Sequence, residues 1–369
     1  MNKTASVSET TYNNSALIFR GEIPEGKVGW QSPSNIALVK YWGKKEVQIP
    51  CNPSVSFSLN ESYTETVVEY RPAHSEKSTV VFYLNGVINE QFGKKIDAYF
   101  KSIESVYPFL NQLDFTIHST NTFPHSAGIA SSASGMSALA LCLCSIEKKY
   151  FGTPSGEHEF FQKASFLARL GSGSAARSLY GGLVSWGKID GRPETSNLWG
   201  TPQTENLHPL FSTFRDSILI VDAKQKKVSS RVGHGLMKTN VYADARFKQA
   251  QTNIVELLDV MKNGDLERFI NITESEALTL HAMMMTSNPY YLLMKPETLQ
   301  IIERIFGFRK STGIPVCFTL DAGPNIHLLY PEKVRADVGS FIQAELKQFT
   351  RNATVIEDRV GSGPVKLDL

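Results

Sequence analysis

The stretch from Phe123 to Gly135, Phe-Pro-His-Ser-Ala-Gly-Ile-Ala-Ser-Ser-Ala-Ser-Gly, constrains this chain more than any other segment. Before it, Leu113, Phe115 and Ile117 alternate with Asp114, Thr116 and His118, the period of a half-buried strand. After it, Met136, Leu139, Ala140, Leu143 and Ile146 recur at helical spacing. Lys148 and Lys149 fall in the last predicted turn and Gly152 just beyond it, the usual signals of a helix C-terminus. A loop of small residues between a strand and a helix N-terminus offers free backbone N–H groups and the positive end of the helix dipole. That arrangement suits an anion, phosphate above all.

A tight turn that needs small residues explains one such loop equally well. Here Ser119, Ser126, Ser131, Ser132 and Ser134 crowd a short region, so hydroxyl donors supplement the backbone. The chain has no Gly-x-x-x-x-Gly-Lys-Ser/Thr and no Gly-x-Gly-x-x-Gly, which sets aside the Walker and dinucleotide loops.

The rest of the chain narrows the class. Its 369 residues suffice for two domains, and 41% hydrophobic with 20% charged residues is ordinary globular composition. A net charge of +2 argues against a general nucleic-acid or membrane surface. No apolar run is long enough to span a bilayer, and residues 1–16 form a polar extension, expected to be flexible, without a signal-peptide core. Cys51, Cys142, Cys144 and Cys317 lack metal or redox spacing, which fits reduced thiols and a cytoplasmic protein.

Strand-like runs at Thr66–Tyr70 and Thr79–Leu84, with Asn85-Gly86 as a hairpin turn, precede the loop. A helical pattern near 157–169 follows it. The polar, proline-bearing stretch Asp190–Ser212 reads as the junction between an N-terminal domain over 17–200 and a C-terminal domain over 201–369. Beyond it come a strand at Ser217–Val221 and helical patterns at 241–262, 265–282 and 296–309. Strands at Val316–Leu320 and Ile326–Leu329 and a helical stretch at 332–348 complete the pattern. Strands and helices that do not alternate regularly indicate α+β.

Four further segments carry chemistry-bearing residues. In Ser34–Lys45, Lys40 stands beside Tyr41 and Trp42, ordinarily the mark of a solvated rim. In Gly171–Ser178, Arg177 lies one turn into a Ser/Gly-rich helix start, placed to clamp a carboxylate or phosphate with its fork. Lys226–Arg231 reads as a polar loop. Asp321, before Gly323 and Pro324, is either a turn aspartate or a general base. His118, His125, His234 and His281 show no paired metal spacing and read as structural or peripheral.

Taken together, Asn35-Ile36-Ala37-x-x-Lys40-Tyr41-Trp42-Gly43-Lys44, the Pro124–Ala133 loop, Gly171–Gly182, Val228–Arg231 and Asp321–Asn325 resemble the diphosphomevalonate decarboxylase family of the GHMP kinase superfamily. The motifs stand in the family's order, and the resemblance covers roughly residues 28–365. It implies a two-domain GHMP kinase-type fold and ATP-dependent decarboxylation of mevalonate 5-diphosphate to isopentenyl diphosphate.

By the same resemblance, Asp321, Lys40 and Arg177 are catalytic. Asn35, Tyr41, Lys44, Ser172, Gly173, Ser174, Ser230 and Arg231 hold the substrate. Pro124, Ser126, Gly128, Ala130, Ser131, Ser132 and Ser134 hold ATP and magnesium, with the metal carried by the nucleotide near Ser132 rather than by a protein cluster. A homodimer is implied, without nucleic-acid or membrane partners. Decarboxylation of the monophosphate, a mevalonate-type kinase and a non-catalytic ATP-binding regulator are the alternatives. His125, His234 and Met283 depart from the family pattern.

Overall fold

A computed structural model describes residues 11–45, 48–75, 77–124, 129–205, 207–222 and 230–369, with the side chains of Ser230 and Arg231 excepted. The first sheet is organised by two long strands, β1 (Gly26–Val39) and β2 (Ser54–Pro72), paired antiparallel with Trp30 opposite Thr66. β3 (Val80–Leu84) and β4 (Val87–Ile88) form the expected hairpin. Its turn residues Asn85 and Gly86 both have positive φ, 50° and 79°, as a type I′ turn requires. β5 (Leu113–Asn121) pairs with both β2 and β3. β6 (Leu183–Trp186) joins the first half of β2, and β7 (Gly200–Pro202) pairs with β6.

The second sheet has the order β11-β8-β10-β9, built from β8 (Phe214–Leu219), β9 (Cys317–Thr319), β10 (Ile326–Pro331) and β11 (Val355–Arg359). The chain then returns to the first sheet, where β12 (Val365–Lys366) pairs with β1.

The helices in chain order are α1 (Glu90–Ser102), α2 (Ser131–Phe151), α3 (Glu157–Gly171), α4 (Pro209–Ser212), α5 (Ser230–Leu236), α6 (Ala243–Asn263), α7 (Leu266–Met285), α8 (Pro296–Thr312) and α9 (Arg335–Phe341). The α+β expectation therefore holds. The expected helix over 332–348 is broken into short 3₁₀, α and π pieces, which keep Val338, Phe341, Ile342 and Leu346 buried.

Among the described residues, three of four apolar clusters hold these layers. One lies between the first sheet and α1–α3, with Val68, Phe115, Ile117, Leu139, Leu143 and Phe166. Small residues Ala133, Ala138 and Ala140 let α2 approach the sheet closely, so it is apolar on more than one face, and both Cys142 and Cys144 are buried. A second cluster joins Ile36, Leu38 and Phe57 of the first sheet to Ile218 of the second, Leu257 of α6 and Phe269 of α7, and so ties the two sheets together with those helices. A third backs the far side of the second sheet. At about 1.5–3 kcal/mol for each large apolar side chain buried, the second cluster holds the inter-sheet seam firmly enough to fix polar groups in it.

Candidate active site

Two irregularities in β1 shape the seam. Register shifts fall between Pro33 and Asn35 and again between Ala37 and Val39, immediately before Lys40. Proline cannot donate to a ladder, so a bulge is its natural place, and a bulge re-aims the side chains that follow.

Asn35 donates to the Ser178 hydroxyl at 2.8 Å and to the Ser174 carbonyl at 3.3 Å, while its Oδ1 accepts from Arg177 Nη2 at 3.3 Å. Arg177 also donates through Nε to Ser56 Oγ at 2.5 Å and through Nη1 to Ser54 Oγ at 2.6 Å. The guanidinium is thus fixed by three side chains. Burial pulls its pKa down to about 10, against the attraction of Asp321, and leaves it charged at neutral pH.

Lys40 is not on a rim. Its residue is 1% exposed, and Nζ donates to the Ala37 carbonyl at 2.6 Å and to Asp321 Oδ1 at 3.2 Å. Burial lowers its pKa, and the carboxylates of Asp321 and Glu276 oppose that shift. Asp321 lies two residues beyond β9, with its side chain 27% exposed, so one face of the carboxylate reaches solvent while the other meets a buried ammonium. Its backbone makes a tight turn, the carbonyl accepting from Gly323 N–H at 2.7 Å. The carboxylate itself goes to Lys40, 281 residues away in sequence.

Tyr41 continues the same segment. Its ring lies 4.7 Å from Trp186 and 4.3 Å from His234, centroid to centroid, and its buried hydroxyl finds no hydrogen-bond partner among the described residues. A buried hydroxyl without an acceptor costs about 1–3 kcal/mol, a cost that a bound anion removes. Burial also pushes its pKa upward, so the group is a neutral donor. Gly173 packs beneath, where a Cβ would come within 2.7 Å of the Trp186 ring, so only glycine fits. Lys44 Nζ reaches Gln48 Oε1 at 3.4 Å.

The start of α2 meets this group through Ser132, whose hydroxyl is 3.4 Å from that of Ser172. Ala130, the residue before α2, has φ +44°, a left-handed conformation uncommon for alanine and a mark of a constrained loop. The half-buried Ser131 and exposed Ser132 occupy the first helical positions, where N–H groups lack intrahelical acceptors. Ser134 differs from them. It is fully buried, and its hydroxyl meets Thr64 Oγ1 at 2.6 Å, so it packs the helix on the sheet.

Pro124 is exposed before the loop. His125, Ser126 and Gly128 lie outside the described residues, as do the side chains of Ser230 and Arg231 at the start of α5. Among the described residues no group of three His, Cys, Asp or Glu side chains could hold a metal ion, and no helix is long and apolar enough to cross a membrane.

Two histidines are structural but not peripheral. His281 is buried with Nε2 3.1 Å from the carbonyl oxygen of Asp321. The His234 ring lies between Tyr41 and Trp42, and its Nδ1 accepts from Gly43 N–H at 2.9 Å. Burial, reinforced by Lys44, lowers its pKa to about 3, so it accepts as a neutral imidazole. Ser54 and Ser56 escaped the sequence reading, although their alternation with Val55 and Phe57 marks a strand with one hydroxyl-bearing face.

A buried cation beside a part-exposed carboxylate, a second buried cation with a fixed fork, and a hydroxyl-lined helix start can together orient an anionic alcohol against a phosphorylated donor. Comparisons with known proteins agree. The model of the diphosphomevalonate decarboxylase-like N-terminal domain matches residues 32–197, and that of the mevalonate 5-diphosphate decarboxylase C-terminal domain matches 217–365. The chain is 30% identical to the diphosphomevalonate decarboxylase of Gibberella zeae, over 91% of this chain and 96% of that protein. It is 29% identical to that of Bos taurus, over 80% and 74%.

Among solved structures, the mevalonate diphosphate decarboxylase of Staphylococcus aureus superposes with a TM-score of 0.79 at 27% identity, over 94% of this chain and 99% of that one. The Enterococcus faecalis enzyme gives 0.78 at 27%, over 94% and 100%. A complex of the protein named MDDEF with MVAPP, AMPPCP and magnesium gives 0.78 at 27%, again over 94% and 100%.

Proposed function

The chain belongs to the diphosphomevalonate decarboxylase family, and from that membership we infer that it converts mevalonate 5-diphosphate and ATP into isopentenyl diphosphate, ADP, phosphate and carbon dioxide. The observation that carries the reading is Asp321, part-exposed to solvent, set against the buried Lys40 ammonium and within electrostatic reach of Arg177.

A saturated 3-hydroxy acid holds its carboxyl firmly, because the electrons of the breaking C–C bond have nowhere to go. Magnesium-bound ATP supplies the phosphoryl group that makes the tertiary oxygen a leaving group, after which those electrons form the alkene. Asp321 orients the tertiary hydroxyl and accepts its proton. Lys40 offsets the developing negative charge and holds the Asp321 carboxylate in place. Arg177 grips the substrate carboxylate by its fork.

The orphan hydroxyl of Tyr41, with Lys44, Ser172 and Ser174, suits the terminal phosphate, and Ser230 with Arg231 the inner one. The donor set of Ser131, Ser132 and the α2 N-terminus fits a nucleotide phosphate carrying its own magnesium. We further propose a homodimer and, from the four free thiols, a reducing cytoplasmic setting. Light scattering of the purified protein tests the dimer.

The test of the function is ATP-dependent carbon dioxide release with mevalonate and its mono- and diphosphates. The diphosphate is expected to be preferred, and a clear preference for the monophosphate would overturn the reading. Lys44→Ala removes one charge-assisted contact, about 1.5–3 kcal/mol when made in full. The ratio of kcat/KM for diphosphate over monophosphate is expected to fall about ten- to a hundredfold, with the KM for ATP little changed.

Ser132→Ala gives a smaller effect. Ser132 is exposed, so stability stays within about 0.5 kcal/mol. The KM for ATP is expected to rise up to about tenfold through one lost hydroxyl contact. Native kinetics at limiting ATP would reduce this segment to a structural turn.

A further inference from the structure

Glu276 of α7 and Arg246 of α6 form an ion pair in which the residues are 0% and 2% exposed, beside the site but not facing its open side. Arg246 Nη1 donates to Glu276 Oε1 at 2.9 Å, and its Nη2 donates to Oε2. Asn253 adds a bond to Oε1 at 2.6 Å. Arg246 Nε finds no partner among the described residues, and the pair's other bonds go to the residue just past β1. Glu276 Oε2 accepts the backbone N–H of Lys40 at 2.9 Å, and Arg246 Nη2 lies 3.5 Å from the Lys40 carbonyl, which also accepts from Asn52 at 2.9 Å.

β1 ends at Val39, so the Lys40 backbone has left the β-ladder when the pair takes hold of it. Buried ion pairs contribute little net stability against well-packed apolar residues of the same size. A pair retained here at full desolvation has another use. We propose that Glu276 and Arg246 are positioning residues for the reaction, a clamp from the second half of the chain that sets where Lys40 stands relative to Asp321. The proposal rests on the reading of Lys40 as the cation at the reacting hydroxyl. It explains how one ammonium can serve a carboxylate on another sheet. Lys40 is held at its backbone by α6 and α7, the helices that cover the sheet carrying Asp321.

The pair also acts through charge. The groups facing Lys40 are Asp321 and Glu276, which favour its ammonium form, and Arg177 and Arg246, which are cations. Lys40, Arg177 and Arg246 against Asp321 and Glu276 leave one positive charge over, the complement of a substrate carboxylate.

E276Q keeps the acceptor for Lys40 N–H and removes the charge. Its kcat is expected to fall about tenfold or more through misplacement of the reacting groups, with the KM for ATP within about twofold. Loss of the anion disfavours the ammonium, so the alkaline limb of the kcat–pH profile moves to lower pH. If E276Q does not fold, E276Q/R246M removes the buried charges together and is judged by kcat and KM alone.

In E276A, amide hydrogen exchange at Lys40 is expected to quicken at least about tenfold. Folded variants with native kcat and an unmoved alkaline limb, or native protection of the Lys40 amide in E276A, would overturn the clamp. Exchange is read without turnover, so a wild-type protein lacking carbon dioxide release would sink the functional reading and still leave the clamp tested.

Discussion

Asp321→Asn is expected to lower turnover by about a hundred- to ten-thousandfold, the range over which a positioned proton acceptor acts. The amide is nearly isosteric with the carboxylate, so neighbouring packing survives, but it carries no charge and takes no proton. Its oxygen can still accept from Lys40 Nζ, now 3.2 Å from Oδ1, so the site keeps its shape. The loss then falls on kcat and kcat/KM together, with substrate and ATP binding changing far less, because the missing interaction is made in the transition state.

A second consequence has a fixed sign. Asp321 is the strongest of the charges that favour the Lys40 ammonium, and burial opposes it. Removing the carboxylate lowers the Lys40 pKa, so the alkaline limb of the residual activity moves to lower pH. Near-native turnover would remove Asp321 from the mechanism.

What the sequence made legible follows from how locally each feature is encoded. The hairpin at Asn85-Gly86 and the helix from Ser131 to Phe151 are set by neighbouring residues, through positive φ in one case and small-residue loop, helical period and Gly152 stop in the other. β1 and the first half of β2 were hidden for the opposite reason. Ser32, Ser34, Ser54, Ser56 and Ser58 are buried there as fully as Val55, Phe57 and Leu59, so a hydroxyl-bearing face that reads as solvent-facing lies inside the protein. Those hydroxyls meet partners far along the chain, as Ser56 meets Arg177 and Ser34 meets the Ile129 carbonyl.

Lys40 reads as a rim lysine because its carboxylate partners lie more than 200 residues away, at Glu276 and Asp321. Glu276 gave one local hint. It shares the buried stripe of α7 with Thr273, Ala277 and Leu280, and an acid on an apolar stripe requires a partner.

Arg177→Met is expected to lower kcat/KM for mevalonate diphosphate by about a hundred- to ten-thousandfold. Two charge-assisted bonds to a carboxylate are lost, about 3–6 kcal/mol if both are made in full. Methionine replaces the apolar volume without strain, yet Ser54 Oγ, Ser56 Oγ and Asn35 Oδ1 each lose the donor that now reaches them at 2.6, 2.5 and 3.3 Å. Stability therefore falls as well, and kinetics must be taken on protein shown to be folded by circular dichroism.

Arg177→Lys separates charge from geometry. It restores a cation but not the planar fork, and its single ammonium cannot reach Ser54, Ser56, Asn35 and a carboxylate together. The lysine variant is expected to recover stability more than activity. Both variants should bind ATP nearly as the parent does, because Ser131 and Ser132, proposed here for the nucleotide, adjoin the Arg177 turn through Ser172. Recovery of full activity by lysine would show that the site needs a charge there and no fork. Unchanged kcat/KM in the methionine variant would release Arg177 from the substrate altogether and leave it a structural tie between β2 and the Gly171–Ser178 turn.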